Sequence, residues 1–267
     1  MQALHLWPAG QRRQVIGVFT DIDDTLTNEG AITPDALRAL HRLRDAGLPV
    51  VAITGRPLGW SMPFASAWPV DAIVAENGSV ALVPRPAGLA QLYLQDADTR
   101  TRNRARMQAV AARVLREVPG AMLSQDSPGR ETDIAIDHSE FTCLPREAID
   151  QVVRIMRSEG MSATVSSIHI NGWFGDHNKL VGTRWIMRAL WGRDLGQELQ
   201  RWVYVGDSTN DQCMFEVFDN AIGVANIRRF EAQLTHLPRY VTHAERGAGF
   251  SEVVDALLAA RGPVGPA

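Results

Sequence analysis

Four times along the chain an apolar run stops abruptly at a polar loop. Val15 to Phe19 runs into "TDIDD", "LPVVAI" into "TGRP", "DAIVA" into "ENG", and "RWVYV" into "GDSTND". Short apolar runs without alternation are the pattern of strands buried on both faces, as in a parallel sheet covered by helices. A helix is expected between the first two. Thr33 is placed as its N-cap, Pro34 as its first residue, Leu37, Leu40 and Leu43 as its apolar stripe, and Gly47 as its close. This alternation predicts an α/β fold. In such sheets ligands bind beyond the carboxyl ends of the strands, where all four polar loops would meet.

Between the third and fourth runs the pattern changes. From about residue 84 to 174 the chain reads as a strand "QLYLQ", a helix near 99–118, a strand in "ETDIAIDHS", a helix from 145 to about 159, and a strand "TVSSIHINGW". Each strand alternates: Ile134 and Ile136 oppose Asp133 and Asp137, and Ile168 and Ile170 oppose Ser167, His169 and Asn171. The expectation is a smaller α+β unit, residues 84–174, inserted into a core of residues 1–83 and 175–267. Its sheet should carry helices on one face and leave the polar face open. The terminal "RGPVGPA" is expected to fray.

Composition excludes several classes. A net charge of -3 gives no electrostatic footprint for nucleic acid, and the basic run "RTRNRAR" reads as a solvated helix face. No apolar run is long enough to span a membrane, and the N-terminus lacks a signal-peptide core. Cys143 and Cys213 are far apart, so a reducing, cytoplasmic setting is expected. Neither substrate nor oligomeric state is legible.

The chemistry sits in the loops. Asp21, Asp23 and Asp24 put three carboxylates in four residues at a strand end, an arrangement that repels itself unless a cation holds it together. A capping loop with aspartates at turn positions would read the same in isolation. Lys179 is the only lysine in a chain with 26 arginines. A compact ammonium kept where every other cation is a guanidinium points to a confined site.

Taken together and in order, "DIDDT", Thr54 of "TGRP", Lys179 and the Asp207 to Asp211 loop resemble the haloacid dehalogenase (HAD) superfamily and its DxDxT signature. The insertion after "ENG" resembles subclass IIB, which includes Cof-type, sucrose-phosphate and mannosyl-phosphoglycerate phosphatases. The resemblance implies a Rossmann-like core with a type C2B cap and a phosphatase acting on a small phosphorylated metabolite. It implies Asp21 as nucleophile, Asp23 as general acid and base, and Thr54, Gly55 and Lys179 as phosphate-binding. It also implies Mg2+ held by Asp21, the Asp23 carbonyl and Asp207, with Asn210 and Asp211 beside it. Asp23 favours transfer to water or an alcohol over dehalogenation. Asp24 stands where glycine is common, which puts the tightness of that turn in question.

On the cap, His169 and Asn171 are the candidate substrate contacts, and their polar face favours a sugar phosphate. Two alternatives stay open: a phosphomutase, and a non-catalytic sugar-phosphate-binding protein.

Overall fold

The computed structural model describes residues 1–261; of the tail expected to fray, all but Arg261 lies outside them. Each of the four apolar runs is a strand of one nine-stranded sheet. Across the sheet, Trp202–Gly206 pairs in parallel with Gly17–Thr20, which pairs with Val50–Ile53, which pairs with Ala72–Ala75. Alternate residues of these strands face two separate cores. Val18, Val203 and Val205 pack with Leu40 and Leu43 of the helix Pro34–Asp45, whereas Phe19, Trp202 and Tyr204 pack with Ile186 and Met187 of the helix Lys179–Trp191. Helices on both faces explain why the runs do not alternate. The expected cap is present: the Thr33 hydroxyl accepts from the Ala36 amide, with Pro34 opening the helix.

The inserted region differs from expectation in three places. The strand expected at Gln91–Gln95 is Gly88–Tyr93, and it pairs with Val80–Arg85 at the edge of the large sheet, not in the smaller one. Leu92 and Tyr93 pack on opposite faces of that sheet, so their alternation served the larger core. The strand "TVSSIHINGW" is two, Ser162–Val165 and His169–Trp173, paired antiparallel. Ser166 turns the chain by accepting the Ile168 and His169 amides on its hydroxyl while its own amide donates to the His169 carbonyl.

The third difference concerns the polar face of the four-stranded smaller sheet. The helices Ala97–Glu117 and Arg146–Ser158 cover its apolar face through Met107, Val110, Val114, Val152 and Met156. The other face is closed. Asp133, Asp137, His169 and Asn171 are all buried, because that face is pressed onto the loops of the large sheet. Part of the basic run also packs: Arg100 lies 3.5 Å from the Tyr93 ring centroid and Arg106 3.6 Å from that of Phe174.

A clasp holds the two units together. The buried Glu76 carboxylate accepts from the amides of Leu58, Glu131 and Thr132 and from the Thr132 hydroxyl. Arg130, also buried, donates to the Gly55 carbonyl and to Asp133, and Asp133 accepts from Asn77 and Asn171. The "ENG" turn that carries Glu76 is left-handed at all three residues. Its Gly78 sits so close to the Lys179 helix that a Cβ would lie 2.3 Å from the Asn178 carbonyl oxygen. Glycine at Gly78, and Gly182 facing it, let that helix begin where its first side chain reaches the sheet.

Candidate active site

Parallel pairing puts the loops after Thr20, Ile53 and Val205 side by side at the carboxyl ends of adjacent strands. The Asp21 amide donates to the Val205 carbonyl, which fixes the Asp21 loop against the Asp207 loop at 2.8 Å. Lys179 enters from the facing helix. Its ammonium donates to Asp21 at 2.7 Å and to Asp211 at 2.6 Å, and its side chain is 1% exposed. Asn178 caps that helix by accepting from the Val181 amide, so Lys179 stands at the first helical position, where the helix dipole disfavours a cation. Two carboxylates at contact distance outweigh that cost.

Burial pulls the Lys179 ammonium down, but the charges of Asp21 and Asp211 outweigh it and hold the group protonated above its usual range. Asp21 is pushed up to about 7 by burial, with Lys179 opposing and Asp211 and Asp23 adding to the rise. The two directions conflict, since one favours an ion pair and the other a neutral acid; the 2.7 Å contact supports the ion pair. Asp207 is held well above the carboxylate range by burial and by the charges of Asp21 and Asp211.

These carboxylates fit a hard divalent cation. Asp21, Asp207 and Asp211 each bring an oxygen within 4.8 Å of the others. One Asp207 oxygen accepts from Asn226, while the other is buried with no donor in reach among the described residues. An orphaned buried oxygen among carboxylates that burial and mutual charge push toward protonation is what a cation would satisfy. Asp211 is different. One of its oxygens takes the Lys179 ammonium and the Tyr204 hydroxyl, the other the amides of Asp207 and Ser208. Its work is to orient the loop and the lysine, not to offer a free oxygen. Asn210 accepts from the Ser208 hydroxyl and lines the small cavity at Asp21.

Thr54 is buried, and its hydroxyl oxygen accepts from the Arg56 amide, which leaves its proton free to donate. Gly55, Asn171 and His169 line the cavity at Asp21, together with the turn Ser166–Ile168. The structure therefore brings the two cap candidates to the core loops. Neither is free: Asn171 donates to the Gly55 carbonyl and to Asp133, and His169 pairs with Glu140 at 2.8 Å.

Sequence reasoning passed over Arg56. Its guanidinium holds Asp23 at 3.0 Å, Glu140 of the inserted unit at 2.8 Å and Asp126 at 3.3 Å, joining the expected acid and base to the cap. The signal was a charged residue just after a strand-end threonine. Asn226 was also missed; it donates to Asp207 and to the Asp24 carbonyl and accepts from the Arg246 amide. Asp24 itself adopts a left-handed backbone, φ 54°, so the turn keeps the conformation that glycine would supply.

Comparison with known proteins agrees with this geometry. The haloacid dehalogenase-like hydrolase family matches residues 18–100. A phosphoglycolate phosphatase of Methanothermobacter thermautotrophicus is 26% identical over 89% of this chain and 96% of its own. That of Pyrobaculum neutrophilum is 29% identical over 90% and 95%. Among solved structures, a Thermoplasma acidophilum protein superposes with a TM-score of 0.69 at 15% identity, over 91% of this chain and 98% of its own. The Synechocystis sucrose-phosphatase, in complex with sucrose and phosphate, gives 0.65 at 18%, over 92% and 98%. With the same fold running through nine-tenths of its length and the "DIDDT" loop at the sheet's carboxyl edge, the chain is similar to haloacid dehalogenase-like hydrolases, phosphatases among them.

Proposed function

We propose that this chain hydrolyses a small phosphorylated metabolite, a sugar phosphate foremost, through an aspartyl-phosphate on Asp21. The observation that carries the reading is Lys179, whose buried ammonium spans Asp21 and Asp211 beside the orphaned Asp207 oxygen. A phosphate monoester dianion resists an anionic nucleophile, so the site must supply positive charge where the two meet. Lys179 supplies part of it. Magnesium, held by Asp21, the Asp23 carbonyl and Asp207, would supply the rest by neutralising the phosphoryl oxygens.

In the first half-reaction the Asp21 carboxylate attacks phosphorus and the leaving oxygen takes a proton from Asp23. In the second, Asp23 removes a proton from water, which attacks the aspartyl-phosphate and restores Asp21. The hydroxyl of Thr54 and the amides about Gly55 would hold phosphoryl oxygens. Residues from about 94 to 174 act as the cap that selects the substrate, with His169 and Asn171 at its inner face.

A second substrate reading, phosphoglycolate, is favoured by the names of the two curated relatives. The test is a screen of phosphorylated metabolites for phosphate release with and without magnesium, run beside Asp21→Asn. Release that needs the metal and vanishes in the variant supports the reading. Equal release by the variant refutes it, and phosphoryl return to the substrate without net release would mark a mutase.

A further inference from the structure

A cavity of about 350 Å3 opens beside Asp23, large enough for a small leaving group. We propose that it receives the leaving group and that its acidic wall excludes leaving groups bearing a carboxylate, with Glu29 and Phe141 as specificity-determining residues. The inference rests on the phosphatase reading above. Asp23 would protonate the leaving oxygen, so whatever that oxygen carries extends into the space Asp23 lines.

The wall holds four carboxylates, Asp23, Asp24, Glu29 and Glu140, against two guanidinium groups. Both guanidinium groups stand in ion pairs, although the Arg246 Nε makes no hydrogen bond among the described residues. Arg56 is taken by Asp23 and Glu140, and Arg246 by Asp24 at 3.0 Å. The uncompensated charge falls on Glu29. This residue sits at the tip of the hairpin Thr27–Asn28 and Ala31–Ile32, where Glu29 and Gly30 are both left-handed at φ 49° and 77°. With Asp23 protonated to act as the acid, an entering carboxylate meets two cations already paired with carboxylates and the one unbalanced negative charge of Glu29. A hydroxyl carries no charge to be repelled and can donate to a carboxylate.

Phe141 completes the argument. Its ring is 63% exposed at the cavity's rim, the most exposed large hydrophobic side chain among the described residues. An apolar platform beside carboxylates matches a leaving group that is hydroxylated on its edges and C–H on its face.

The test compares matched pairs on the wild-type chain with magnesium. Phosphoglycolate is set against 2-hydroxyethyl phosphate, which replaces the carboxylate with CH2OH, and 6-phosphogluconate against sorbitol 6-phosphate. The neutral member of each pair should have kcat/KM higher by about tenfold or more. In Glu29→Lys that ratio should narrow by about threefold or more, chiefly through gain on the carboxylated member. Phe141→Ala should lower the neutral member more than the carboxylated one. A ratio on one preparation is independent of how much of it is active, so partial misfolding of a variant does not mimic the result. Phosphoglycolate matching or beating 2-hydroxyethyl phosphate overturns the inference, as does a ratio that Glu29→Lys leaves unchanged. Should the wild type release phosphate from none of these or from p-nitrophenyl phosphate, the phosphatase reading fails first and takes the inference with it.

Discussion

Replacing Lys179 by arginine keeps the charge and changes only its shape. The ammonium touches two carboxylate oxygens at 2.6 and 2.7 Å and is almost wholly buried, packed among Asp21, Asp211 and the Tyr204 hydroxyl that shares Asp211. A guanidinium is longer by one heavy atom along the stem and several times wider at its end. Its plane cannot sit between two oxygens that a sphere bridges. Forcing extra volume into a packed site costs about 1–3 kcal/mol, which for a chain of this size lowers Tm by roughly 2–12 °C. The kinetic cost is larger. If the fork turns aside, Asp21 meets the phosphoryl group without its oriented cation, and losing one such donor costs on the order of 10²–10³-fold in kcat.

The assay is kcat at saturating substrate and magnesium, read beside a thermal melt of the same preparation. Lys179→Met is the comparator. It keeps the length, removes the charge, and should cost about 3–5 kcal/mol of stability at neutral pH because Asp21 and Asp211 then face each other unpaired. Lys179→Arg should stay folded and be slow. A folded Lys179→Arg enzyme with kcat near the wild-type value would refute the reasoning, and the lone lysine would be an accident of an arginine-rich composition.

Asp21→Asn should abolish turnover while Tm stays within a few degrees, since Lys179 keeps Asp211; a melt with residual activity in a pure preparation counts against the nucleophile. Glu76→Ala strands three amides and a hydroxyl and should cost roughly 3–5 kcal/mol, with faster amide exchange at Glu131 and Thr132; unchanged exchange there would mean the clasp does not hold the cap. Burial lowers His177 from the usual 6.5 to about 4, so the unfolded chain binds its proton first and stability is lost as pH falls from about 6.5 to 4, by about 3 kcal/mol. His177→Phe, which keeps a ring against Trp173, should flatten that part of the pH-stability curve; parallel wild-type and variant curves would exclude His177 as the source.

The central sheet was legible because its strands are buried on both faces, so their sequences carry a pattern that needs no knowledge of neighbours. The core loops were legible because aspartates at strand ends need a reason. The cap was harder. Gly88–Tyr93 alternates equally well whichever sheet it joins, and in "TVSSIHINGW" no glycine or proline stands at the turn that Ser166 makes with its own side chain. The polar face looked solvated because sequence does not show what lies over it. Arg56 was passed over for a related reason: its three partners come from residues 23, 126 and 140, and only the fold brings them together.

That meeting also bears on how the enzyme would turn over. The cavity at Asp21 is about 10 Å3, room for one water at most, and its roof is the Ser166–His169 turn. A phosphoryl group cannot enter without that roof lifting. Two of the sets of contacts that hold the cap differ in kind. The Glu76 clasp is buried and built largely on backbone amides, whereas the contact over the site runs through Arg56, Glu140 and His169, with Glu140 19% exposed. Opening at the second while the first stays shut costs least, because water can replace ion-pair partners at the rim but not donors to a buried carboxylate. The cap would then swing about the Glu76 edge, and each closure would return Glu140 to Arg56 as Arg56 holds Asp23. In Glu140→Gln that return is weakened, so kcat/KM should fall by about tenfold with Tm nearly unchanged, while Glu76→Ala should lower Tm first. If Glu140→Gln instead destabilises the chain as much as Glu76→Ala does, the two contacts form one rigid interface and the opening edge lies elsewhere.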